Sequence, residues 1–239
     1  MMRKAILLLA GFVLSVAVVA QPGSEFKASR DLIIKGASVK YHSELDLLVF
    51  QIDVAGVAGK TVPKAKGQLN GAPVLGYVFP TSLKSTDVAF GDTEGIVALA
   101  ITAHPDFDDT PLWDENNDRD YKNDGVVWHT HWVVLQSDDR VPGGLSVKQF
   151  AKTDAVVLPP TNPGMPMYMD SPGYSVLTMG KQLKVLVPLK RIYEQKEFKY
   201  DAVAAFMQVN TTDAGKPMLG VYEVYSVLSG DLSLPYTVK

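Results

Sequence analysis

Short apolar runs, each closed by a glycine or proline turn, set the main limit on how this chain can fold. Leu32–Tyr41, Leu45–Val54, Val74–Phe79, Gly95–Thr102, Val126–Leu135, Ala155–Leu158, Leu183–Leu189, Val203–Val209 and Val221–Leu228 are rich in β-branched and aromatic residues. Runs of this length and composition read as strands. Asn70-Gly71, Pro142-Gly143-Gly144, Pro163-Gly164, Pro172-Gly173 and Ser229-Gly230 punctuate them, as tight turns need residues that tolerate positive φ or fix it. Only Ser146–Lys152 and Lys190–Lys199 carry a pattern suited to a short helix. The expected fold is all-β: an antiparallel β-sandwich or barrel-like sandwich with one or two short helices.

Residues 1–20 have the layout of a secretory signal peptide. Arg3 and Lys4 precede the apolar run Ala5–Val19, and Val18-Val19-Ala20 supplies small residues before a cut ahead of Gln21. The run is short for a bilayer span of about 20 residues. The chain holds no cysteine, which excludes a thioether-linked lipid anchor. Residues 21–239 are then expected to form a single β-rich domain without a membrane span. The proline-rich segment 159–172 is the best place for a loop or subdomain boundary. The expected location is the periplasm or the exterior.

A net charge of −3, made more negative by loss of Arg3 and Lys4, argues against nucleic acid as a partner. The sequence does not identify a protein partner. The absence of cysteine removes thiolate from every metal or catalytic scheme. No Gly-x-Ser-x-Gly elbow offers a hydrolase nucleophile.

The chain has 4 histidines, and His129 and His131 share one extended segment. Side chains alternate along a strand, so both imidazoles fall on one face with Cα atoms about 6.6 Å apart. That spacing lets them converge on an ion at about 2.0–2.1 Å per bond. Val127, Val133 and Leu135 share their face, whereas Val126, Trp128, Thr130, Trp132 and Val134 take the other. Both faces are mostly apolar, so the strand is expected to be covered on both sides. A buried imidazole pair needs hydrogen-bond partners or a metal. His104 is the leading third ligand, since it ends the apolar strand that would pair with this one as a hairpin. His42, in the turn Tyr41-His42-Ser43-Glu44, is the second choice.

The string His129-Thr130-His131-Trp132 resembles the zinc-ligand strand of α-type carbonic anhydrases. That family takes its third histidine from a later strand, and no histidine follows His131 here. Cupins also present His-x-His on a strand but follow it with a glutamate, where this chain has Leu135 and Gln136.

Between the histidines lies an acidic segment containing Asp106, Asp108, Asp109, Asp114, Glu115, Asp118, Asp120 and Asp124, relieved by Arg119 and Lys122. Asp114, Asn116, Asp118 and Asp120 place oxygen ligands at alternate positions, which resembles the start of an EF-hand calcium loop. Arg119 stands where that loop wants glycine, and Gly125 where it wants glutamate. The segment reads as a calcium site or as a solvated acidic turn. Asp106 or Asp108 could instead join the histidines or orient them.

Met165, Met167 and Met169 alternate in a proline-rich loop. Thioethers are soft donors that suit Cu(I), and they also fill apolar gaps. The leading expectation is a metal-binding β-protein, with copper or zinc at His129, His131 and His104. One alternative is a metal-dependent enzyme of hydrolase or lyase type using the same histidines, with Asp106, Asp108 or Glu115 as general base. The other is a calcium-stabilised binding module for carbohydrate or protein, with Trp113, Trp128 and Trp132 as contact aromatics.

Overall fold

A computed structural model describes residues 20–107, 119–120, 127–151 and 153–239. Its strands are β1 Ile34–His42, β2 Leu47–Val54, β3 Pro73–Pro80, β4 Ile96–Ala103 and β5 His129–Ser137. Then come β6 Leu145–Val147, β7 Met169–Asp170, β8 Val176–Met179, β9 Gln182–Pro188 and β10 Lys199–Tyr200. The last are β11 Val203–Val209, β12 Leu219–Val227 and β13 Tyr236–Thr237. All pairings between these strands are antiparallel.

One sheet runs β4-β3-β11-β12-β6-β5-β7, and β4 also pairs with β5, which closes a barrel of 6 strands. A second sheet, β1-β2-β9-β8, packs against the barrel's outer face. The expected all-β architecture is thus present, as a barrel with a sheet laid on it.

The period of two explains this arrangement. Leu75, Tyr77 and Phe79 of β3 point outward with Leu99 and Ile101 of β4 and Trp132 and Val134 of β5. They meet Phe50, Ile52, Leu183 and Val185 from the second sheet. The intervening residues Val74 and Val78, Ala98 and Ala100, Val133 and Leu135, and Ala205 and Met207 turn into the lumen. Strands β3, β4 and β5 therefore bury both faces over nearly their whole length, which is why β4 and β5 read as continuous apolar runs.

Of the two segments expected to form short helices, one is a strand and the other holds a single 3-10 turn. In Ser146–Lys152, Leu145–Val147 is a strand: Ser146 pairs with Gly220 and Val147 with Leu135. The hairpin with β5 and the long-range pairing with Gly220 override the local pattern. In Lys190–Lys199, only a single 3-10 turn forms, over Leu189–Ile192. Leu189 and Ile192 are fully buried at a spacing that suits 3 residues per turn, and Tyr193 and Glu194 at φ 48 and 63 stop it. Ala155–Leu158, expected as a strand, lies outside the strands, although Val157 accepts a backbone hydrogen bond from Gly91.

The turn from β5 to β6 is locked by one carboxylate. Asp138 accepts from the Arg140 backbone N–H at 3.1 Å, from Arg140 Nε at 2.8 Å and Nη2 at 2.6 Å, and from Ser146 Oγ at 2.7 Å. The Arg140 side chain holds the Asp138 carboxyl down at about 2, well under its ordinary 3.8. A group lower in the folded than in the unfolded state stabilises the fold above its unfolded value, and that contribution is lost as pH falls from there through about 2. Arg140→Ala is expected to return the Asp138 titration toward 3.8, read by carboxyl ¹³C NMR. An unmoved titration would assign the effect to Ser146 instead.

Candidate metal centre

The barrel has two ends, and the histidines gather at one of them. Strands β4 and β5 pair so that Thr102 faces His129 and Ala100 faces His131. His104 follows one residue after β4, on the same side by alternation. The sequence expectation of a β4–β5 hairpin delivering these three side chains is met. His104, His129 and His131 are buried, at 2 %, 5 % and 2 % exposure, and their ligand nitrogens lie within 4.8 Å of one another. This cluster can hold a metal ion.

Hydrogen bonds fix which nitrogens face inward. His104 Nδ1 donates to the Phe107 carbonyl at 2.9 Å, and His129 Nδ1 to the Val127 carbonyl at 2.8 Å. A carbonyl oxygen only accepts, so both Nδ1 atoms carry hydrogen, and in neutral rings both Nε2 atoms carry lone pairs. These two Nε2 atoms are 2.7 Å apart, and Thr102 Oγ1 sits 3.4 Å from that of His129. Two lone pairs hold this separation only with a proton or a cation between them. A proton would make a buried imidazolium, whereas an ion would use both lone pairs and the third ring. At a tetrahedral angle an ion keeps two nitrogen ligands about 3.3 Å apart, so uptake asks the rings to part by roughly half an ångström.

His131 is oriented from another part of the chain. Its Nδ1 lies 3.0 Å from Ser171 Oγ, which directs Nε2 to the cluster. Ser171 is 1 % exposed and held by its own N–H to the Thr161 carbonyl at 3.0 Å. Phe107 stacks flat on His104, with ring centroids 4.1 Å apart and planes 6° from parallel. Partners that set ring orientation typically change metal affinity about 10–100-fold. Ser171→Ala is accordingly expected to weaken zinc or copper binding by that factor, measured by competition with a chromophoric chelator. Undiminished affinity would show that packing alone orients His131.

Met165 and Met169 share a small cavity with Thr102, His104, Phe107 and His131. Its volume of about 20 Å³ suffices for an ion or one water-sized ligand. Met167 is fully buried in the lumen cluster. The methionine loop thus fills the lumen and also borders the histidines.

The remaining candidates have other places. Asp106 Oδ1 accepts from the Lys66 and Gly67 backbone N–H groups, both at 2.7 Å. Its Oδ2 is buried and makes no hydrogen bond among the described residues. The cluster of potential ligands among those residues does not include it. Asp120 is exposed. Asp108, Asp114, Asn116 and Asp118, with Glu115 and Trp113, lie outside the described residues. His42 closes β1, is exposed and stands outside the cluster. Trp132 is in the core, and Trp128 packs on Tyr77 and donates Nε1–H to the Gly59 carbonyl at 2.9 Å. Thr102, Phe107 and Ser171 were not singled out in the sequence. Thr102 could have been, because alternation places it beside His104, but Ser171 carries no local signal.

Among the described residues, no helix is long and apolar enough to cross a membrane. Comparison of the chain with protein-family models, with curated proteins and with solved structures finds no match.

Proposed function

We propose that this is an exported β-barrel protein that holds one copper or zinc ion through His104, His129 and His131. The observation that carries the reading is the approach of two Nε2 atoms to 2.7 Å inside a buried three-histidine cluster. The signal-like segment of residues 1–20 supports export, and the lack of cysteine leaves imidazole as the main strong donor. Met165 and Met169 beside the cluster favour copper, because thioether is a soft ligand. The test is metal analysis of untagged protein from its native compartment, followed by titration with Cu²⁺ and Zn²⁺. One ion per chain is expected, with weaker loading at acid pH as protons compete for the nitrogens. A chain that takes up neither ion overturns the proposal.

A second reading, a metal-dependent enzyme, draws support from the cavity beside His104 and His131. Three protein ligands with an adjoining space are the pattern of catalytic zinc sites. Asp106, whose Oδ1 is committed to the Lys66 and Gly67 amides, is poorly placed as its general base. The calcium-dependent module has less behind it, since Trp128 and Trp132 serve the interior.

A further inference from the structure

The lumen behind the histidines is built differently from the core outside the barrel. Its walls near the site carry small side chains, notably Ala100 opposite His131 and Ala205 on β11. They leave a cavity of about 70 Å³ that begins at Thr102 and His131 and reaches Val224 and Leu232 toward the other end. Val224 and Leu232 are partly exposed, at 40 % and 38 %. Apart from Thr102 and His131, every residue lining it is apolar or glycine. The same two residues also line the cavity shared with Met165 and Met169, so an ion at the histidines would stand between the two spaces.

The chemistry of this space is selective. An apolar cavity of about 150 Å³ accommodates benzene, so about 70 Å³ suits a guest of two to four heavy atoms. A charged or strongly hydrated guest would lose its water shell against a wall with no compensating donors, at a cost of several kcal/mol. A neutral guest pays little of this. We propose that the lumen admits a neutral diatomic gas, of the size of dioxygen or carbon monoxide, which coordinates the ion with one atom and lies among Ala100, Val133 and Ala205. This rests on the metal reading above.

The test uses the full chain loaded with Cu(I), carbon monoxide as probe, and the infrared C–O stretch as readout. One carbon monoxide per copper is expected, in a single narrow band. Ala205→Phe, which fills the lumen from β11 where its cross-strand neighbours are Gly76 and Val224 and not the histidines, is expected to weaken carbon monoxide binding at least tenfold while one copper stays bound. Ala205→Leu provides a milder filling should Ala205→Phe fail to fold. Independently, xenon applied to the metal-free protein is expected to shift the methyl NMR signals of Ala100, Val133 and Ala205. Unchanged carbon monoxide affinity in a copper-loaded, lumen-filled variant overturns the proposal, as does xenon that leaves those methyls unmoved. Xenon shifts in a chain that takes up no copper instead overturn the metal reading, and the coordinate bond with it.

Discussion

His129→Ala combined with His131→Ala is expected to reduce metal uptake from one ion per chain to none. It should also erase the stabilisation that the ion confers. A ligand at about a thousand times its Kd stabilises the folded state by roughly 4 kcal/mol. For a chain of 150–250 residues that is worth about 8–16 °C in Tm. The metal-free variant is expected to melt below the metal-free parent, since two buried side chains are truncated, a cost offset in part because removing His129 also removes the Nε2–Nε2 approach at 2.7 Å. The difference between melts with and without the ion separates coordination from packing. His104→Ala alone should retain weak binding through the two strand histidines. Thermal melts by circular dichroism, with and without Zn²⁺ or Cu²⁺, read all of this. A double variant that still gains the full increment would remove these imidazoles from any ion-binding role.

The strand histidines and their hairpin partner were legible because the information is local. Alternation places His129 and His131 on one face, and the apolar run ending at Ala103 puts His104 beside them once β4 and β5 pair. The two-faced burial of β5 could be read likewise, from apolar residues on both sides of the pleat. What was not legible depends on distant pairings. Barrel closure passes through Leu145–Val147, a strand of 3 residues whose local pattern suits a helix as well. Its register is set by Gly220 and Leu135, neither of them a sequence neighbour. Ser171 reaches His131 across 40 residues because β7 pairs with Trp132 and Val133. A strand of 2 residues leaves no periodic trace. The lumen cavity was equally hidden, since Ala100 and Ala205 look like ordinary strand alanines until the barrel is closed.

Trp132→Ala is expected to be among the most destabilising single substitutions, by about 3–5 kcal/mol, or on the order of 10 °C in Tm for a chain of this size. Trp132 is 1 % exposed and lies between the two sheets, edge-on to Phe50 with centroids 6.3 Å apart. Its Nε1–H points to the Tyr174 hydroxyl at 3.3 Å, a group that burial pushes up and so keeps protonated. Alanine there would open a cavity between sheets joined by no disulfide. Trp132→Phe keeps most of the apolar volume and the contact with Phe50 but drops the donor. It should cost about 1–3 kcal/mol. The informative comparison is with metal binding. Trp132 projects from the face of β5 opposite His129 and His131, so Trp132→Phe is expected to lower Tm while leaving copper or zinc affinity within about threefold. Ser171→Ala should do the reverse, weakening affinity with little change in Tm. If Trp132→Phe instead weakened binding as much as Ser171→Ala, the two faces of β5 would be mechanically coupled, and the core between the sheets would belong to the metal centre.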